Sequence, residues 1–285
     1  PKAVIDALSD YYEQDNANIH RGIHTLAERA TTAYELTRKK LAAFLNAPST
    51  DQIIFTSGTT AGINLVAQTF GRANVGKGDQ IIVSNLEHHS NIVPWQMIAE
   101  EKGAEIKVIP VSDAGVLDIE AYKALLNPKV KLVAVNHVSN AIGTINPIVE
   151  IISLAHEVGA KVLIDGAQSV AHLAVDVQAL DMDFFVFSAH KLFGPTGVGV
   201  LYGKRDLLES MPPYQGGGEM IKEVSFSGTT YHELPYKFEA GTPNIADVIA
   251  FGAALDYVQA IPSEALAAQE EALLAYATQK LQVIP

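Results

Sequence analysis

Short runs rich in apolar and β-branched residues recur along this chain, separated by stretches of helical periodicity. That alternation constrains the fold more than any other feature. The runs cover 52–56, 80–84, 105–110, 131–136, 161–165, 183–188 and 197–202, with helical patterns at 60–70, 92–102, 119–126 and 147–158. Runs such as Val162-Leu163-Ile164 and Phe184-Phe185-Val186-Phe187 are apolar at successive positions, not at alternate ones. Strands of that kind are buried on both faces. The pattern predicts an α/β fold with a mostly parallel sheet and helices on both sides.

Ligands of such sheets sit beyond the carboxyl ends of the strands, so polar residues following the runs become candidates. Thr59 and Thr60 follow the first run, Glu87 and His88 the second, Asn140 the fourth, and Asp165 closes the fifth. Lys191 comes after Phe184-Phe185-Val186-Phe187-Ser188-Ala189-His190. A lysine in an apolar setting either snorkels to water or is held inside for chemistry, because an unpaired buried ammonium is costly. Held inside, it is a Schiff-base nucleophile. A Schiff-base lysine together with an aspartate for a pyridinium nitrogen is the minimal equipment for pyridoxal phosphate.

The neighbouring motifs fit that cofactor. Thr56-Ser57-Gly58-Thr59-Thr60-Ala61-Gly62 joins a strand to a helix, and small residues at a helix N-terminus admit an anion. The plainer reading of its threonines is an ordinary N-cap. Ser188-Ala189-His190-Lys191 brings a hydroxyl and an imidazole toward the same phosphate. Asp165-Gly166-Ala167-Gln168 offers a carboxylate for the ring nitrogen, whose charge it favours, and Gln168 for the phenolic oxygen. In Glu87-His88-His89, one imidazole can stack on the ring and shuttle protons. The adjacent histidines point in different directions, which disfavours chelation. His20 and His24 have metal spacing, but Gly22 lies between them and no carboxylate completes the set.

Composition narrows the function classes. The 285 residues are 48% hydrophobic and 18% charged, within the range of globular enzymes. A net charge of −12 with no basic patch argues against nucleic acid as partner. No apolar run reaches membrane-spanning length, and no signal-peptide pattern opens the chain. With zero cysteines there are no disulfides and no thiolate metal sites, so the cytoplasm is the default compartment. We divide the chain into a lead-in at 1–20, a large domain at 21–255 and the start of a smaller C-terminal domain at 256–285. Pro1 already opens a helical pattern and 263–281 reads as a long amphipathic helix, so the expectation is a sequence cut at both ends.

Taken together, these stretches resemble fold-type I, class V aminotransferase-like enzymes, and among them the group II (SUF-type) cysteine desulfurases and selenocysteine lyases. The matching segments are 17–24, Thr56 to Leu65, Glu87 to Gln96, His137-Val138-Ser139-Asn140, Asp165 to Gln168, Ser188 to Gly197 and Phe238 to Asn244. The resemblance implies that Lys191 carries pyridoxal phosphate, that His88 stacks on its ring, and that Asp165 and Gln168 hold the ring nitrogen and phenolate. It implies phosphate contacts from Thr60, Ser188 and His190, with His20 and Asn140 near the substrate. It further implies a homodimer in which Gly241-Thr242 completes the partner's phosphate site. The implied activity takes L-cysteine, or L-selenocysteine, to alanine and delivers sulfur as a persulfide to an acceptor protein for iron–sulfur cluster assembly. Another class V lyase, or a non-catalytic scaffold of this fold, are the competing readings. The family's Arg-x-Gly-His-His-Cys stretch and its Asp-Asn-Ala-Ala segment are absent from these residues. They therefore suffice for binding the cofactor but supply no thiol to accept sulfur.

Overall fold

The computed structural model describes residues 1–284. Its centre is a seven-stranded sheet in the order β1-β7-β6-β5-β4-β2-β3. The strands are β1 (Ile53–Thr56), β2 (Gln80–Ser84), β3 (Glu105–Ile109), β4 (Val130–Asn136), β5 (Lys161–Asp165), β6 (Phe184–Ser188) and β7 (Gly199–Gly203). β2 through β6 pair in parallel, whereas β7 runs against both β6 and β1. Apolar patterning locates β7 correctly but carries no information about its direction.

Successive side chains on a strand point to opposite faces, and here both faces are covered. In β6, Phe185 and Phe187 join the core beneath α2 (Thr25–Phe44), α7 (Ile148–Glu157) and α9 (Ile245–Gln259). Phe184 and Val186 join the opposite core, beneath α3 (Thr59–Val66) and α5 (Val93–Lys102). That is why 184–187 is apolar at every position. Phe187 packs edge-on to Phe251 of α9, and truncating such a buried ring to alanine costs about 3–5 kcal/mol.

α1 (Lys2–Asp10) lies along α9, so the lead-in packs on the main body. α3 continues through a π-helical turn at Ala67–Gly71 into the single turn of α4 (Arg72–Asn74). α6 (Ile119–Leu125) and α8 (Arg205–Ser210) are short crossover and cap elements. α10 (Ser263–Leu281) bends 80° from α9 and buries none of its residues. No single helix among the described residues is long and apolar enough to cross a membrane. Sequence patterning does not reveal the exposed hairpin of β8 (Ile221–Ser225) and β9 (Gly228–Tyr231), because no face of it is buried.

Candidate active site

A cavity of about 230 Å³ opens at the carboxyl edge of the sheet. Thr59, Thr60, His88, Asn140, Asp165, Gln168, Ser188, His190 and Lys191 all line it. They come from the ends of β1, β2, β4, β5 and β6, so one sheet edge gathers segments far apart in sequence. A larger cavity of about 720 Å³ lies beside α7, but its walls are chiefly apolar and hold none of these residues. The concentration of chemistry, not the volume, singles out the smaller one.

At one end lies the N-terminus of α3. Gly58 is its N-cap and has no side chain to cap the first turn, so the threonines are not the N-cap that their position in sequence also allows. Thr59 is buried: its N–H donates to Ser188 Oγ at 2.8 Å, and the two hydroxyls lie 2.7 Å apart. Its hydroxyl therefore belongs to a pair with Ser188, whereas Thr60 is exposed to the cavity. The close approach that allows this depends on Gly199. A Cβ there would stand 2.4 Å from Gly58 Cα, so only glycine in β7 lets the cup close over β6.

At the other end stands Asp165, the last residue of β5 and only 5% exposed. Its Oδ1 accepts the Ala167 N–H at 2.9 Å, and its side chain makes no other hydrogen bond with a described residue. Burial pushes this carboxyl above the ordinary aspartate range, while the Ala167 N–H and the nearby Lys191 and His88 side chains pull it back. An extra cation at this spot would relieve the burial. Lys191 is half-buried on the 3₁₀ turn Ala189–Leu192, not sealed in the apolar run before it. Its Nζ makes no hydrogen bond or ion pair with any described residue.

His88 caps the turn His89–Asn91. The Ser90 N–H donates to its Nδ1 at 3.1 Å, with Ser90 Oγ at 2.8 Å. Because Nδ1 accepts, the neutral ring carries its proton on Nε2. Just before it, Glu87 is buried and receives hydrogen bonds from Ser84, Asn91 and the Asn136 N–H. Burial pushes the Glu87 carboxyl up to about 8, and those donors oppose the rise. Asn136 also lines the cavity, opposite Asp165 in the β4–β5 register. Sequence reasoning missed it, although an asparagine closing the apolar run Val130–Val135 is the signal that marks it.

Three expected residues do not line this chain's own cavity, two of them, Gly241 and Thr242, being expected at the partner's site. His20 has a left-handed backbone (φ 62°) and its Nε2 lies 3.0 Å from Glu35 Oε1, outside the cavity. It belongs to a cluster around buried Arg38, which bonds to Glu35, Glu239 and the Ile53 carbonyl. Gly241 and Thr242 are also outside the cavity, with the Gly241 N–H donating to the Gly218 carbonyl.

The class-V aminotransferase model matches residues 1–285. The chain belongs to that family. It is 56% identical over 285 residues to a cysteine desulfurase of Synechococcus elongatus, covering all of this chain and 46% of that protein. Among solved structures, the cysteine desulfurase CsdA of Escherichia coli superposes with a TM-score of 0.93 at 42% identity, covering 100% of this chain and 71% of that one. A C-DES mutant with glycine covalently linked to its pyridoxal phosphate cofactor superposes at 0.81 with 26% identity, over 93% of this chain and 70% of that one. The chain thus spans less than half the length of the cyanobacterial relative.

The residues present fit pyridoxal phosphate. Neither the buried Asp165 carboxylate nor the Lys191 ammonium makes a salt bridge with a described residue, and the α3 N-terminus lies beside Ser188 and Thr60 in the same cavity. A pyridinium nitrogen, an aldehyde and a phosphate are the complements of those three features.

Proposed function

We propose that this protein is a pyridoxal phosphate-dependent cysteine desulfurase, taking L-cysteine to L-alanine and passing the sulfur to a thiol. The convergence of Lys191, Asp165 and the α3 N-terminus on one cavity carries the reading. Bound there, the cofactor supplies a carbonyl for the substrate amine and a protonated ring that withdraws electrons from Cα.

The chain's own groups do the rest. Asp165 keeps the proton on the ring nitrogen, since an opposite charge favours the charged form. Gln168 donates to the phenolic oxygen, and Thr60, Ser188 and His190 hold the phosphate with the α3 N-terminus. His88 would stack on the ring, and Lys191 Nζ would take the Cα proton as general base. Asn140, at the exposed rim, contacts the substrate. The Cβ–S bond then breaks as a new S–S bond forms on an acceptor thiol, which these 285 residues do not contain. On this reading the protein is a cytoplasmic homodimer serving iron–sulfur cluster assembly, and Gly241-Thr242 reaches the phosphate of the partner subunit.

The test is spectroscopic. Pyridoxal phosphate added to the purified protein should give a visible absorption band with the wild type and none with Lys191→Ala. With a thiol supplied as sulfur acceptor, L-cysteine should then yield L-alanine in the wild type alone. A wild-type protein that stays colourless and takes up no cofactor overturns the assignment.

A further inference from the structure

Beside the residues that meet the cavity lies a buried group whose carboxylate is directed away from it. β2 ends at Ser84, but β4 continues to Asn136, so the last N–H of β4 has outrun the strand that should receive it. Glu87 fills the gap: its Oε1 accepts the Asn136 N–H at 3.0 Å. The side chain thus takes the place of a missing strand carbonyl. The same oxygen accepts from Ser84 Oγ, and Oε2 accepts from Asn91 Nδ2 at 2.7 Å. Asn91 is itself held through its Oδ1 by the indole N–H of Trp95, a side chain wholly buried in α5. Asn136 answers by donating to the Leu86 carbonyl, one residue before Glu87. His88 therefore stands on a turn fastened to β2, β4 and α5 at once.

We propose that Glu87 is a positioning residue that fixes the height and tilt of the His88 ring over the cofactor by stapling its turn to the end of β4. The proposal rests on the reading of His88 as the residue stacked on that ring. His88 and His89 themselves are exposed, and among the described residues the side-chain hydrogen bonds of His88 run only to Ser90, within the same turn. Without the staple, the His88–Ser90 bonds would persist while the whole turn shifted. A displacement of 1 Å in a group that orients the reacting centre costs about a hundredfold in rate.

Two substitutions separate reach from acceptor capacity. Glu87→Gln keeps the length but turns an amide N–H₂ toward one of the three donors. Glu87→Asp keeps the carboxyl group but falls one methylene short of Asn136. Each is loaded with pyridoxal phosphate and measured for visible absorption, for induced circular dichroism of that band, and for turnover of L-cysteine with a thiol supplied as sulfur acceptor. Both should retain the absorption, lose most of the induced dichroism, and turn over about 10- to 100-fold more slowly. In a His88→Ala background the same substitutions should add less than about twofold, because residues acting as one unit are not additive. Should Glu87→Gln fail to fold, Glu87→Asp carries the comparison alone. Wild-type dichroism and turnover in Glu87→Asp, or losses fully additive with His88→Ala, would overturn the proposal. If His88→Ala itself leaves dichroism and turnover unchanged, the stacking role fails and this inference falls with it.

Discussion

Removing Glu239 should destabilise the fold more than any exposed charge could. Arg38 is 1% exposed and Glu239 7% at the side chain, and the pair is bidentate: Nη1 to Oε1 at 2.7 Å, Nη2 to Oε2 at 2.9 Å. Glu239 Oε1 also accepts the Phe55 N–H at 2.7 Å, closing the free edge of β1. Glu239→Ala leaves a buried guanidinium with Glu35 as its only carboxylate partner, a loss that costs about 3–5 kcal/mol for a buried pair. About 1–3 kcal/mol of that is the price of the orphaned Phe55 N–H. In urea, with a slope of about 3 kcal/mol/M, the unfolding midpoint should fall by about 1–1.7 M. Arg38→Met combined with Glu239→Leu should be more stable than Glu239→Ala alone, since no unpaired charge remains buried. Equilibrium unfolding followed by circular dichroism measures both. A Glu239→Ala variant within about 1 kcal/mol of wild type, or a double variant less stable than the single, refutes the account of this pair.

Two further outcomes follow from titrating groups. Asp165 has a raised carboxyl, so its contribution to apo stability is present in acid and lost as pH rises through its folded value. Asp165→Asn should therefore leave the apo protein no less stable at pH about 7 while weakening cofactor uptake at least about tenfold. Unchanged uptake in an absorbance titration would count against the ring-nitrogen role. Glu35 shows the opposite sign: burial pushes it up, but the His20 hydrogen bond and Arg38 outweigh that and hold it at about 2. The stability it contributes is complete above its ordinary value of 4.5 and is lost as pH falls toward about 2. Glu35→Gln should flatten the acid limb of a stability profile over that window, and superimposable limbs would show that the group is not the source.

What the sequence discloses here is what burial writes into it. β5 and β6 are legible because both faces are covered, so every position is apolar, and Asp165 and Ser188 stand out as the polar residues that end them. Lys191, Thr60 and His88 are legible for the same reason, as chemistry placed just past a buried strand. β8 and β9 leave no such mark, since 221–231 is almost wholly exposed and Phe226 lies bare at the turn. The Arg38–Glu239 pair is silent because its members are 201 residues apart and neither sits in a telling local pattern. His20 is misplaced by resemblance alone: its motif matches, but in this chain its ring nitrogen meets Glu35 instead of the cavity.

The reversed strand has a consequence for motion. Ser188 and Gly199 face each other across β6 and β7, so residues 189–198 form a connection tied down at both ends by neighbouring strands. Phe193 is held there in a left-handed backbone, and Gly194 has no room for a Cβ against Phe251. His88 and Asn140 instead lie on connections that leave the sheet for α5 and α7 before returning. A short, doubly anchored connection opens less often than a long one. Backbone amide exchange should thus be slowest at the lysine's turn and faster on the opposite wall of the cavity. On the proposed function, Lys191 would therefore sit on the stiffer wall of the cavity and His88 on the softer one.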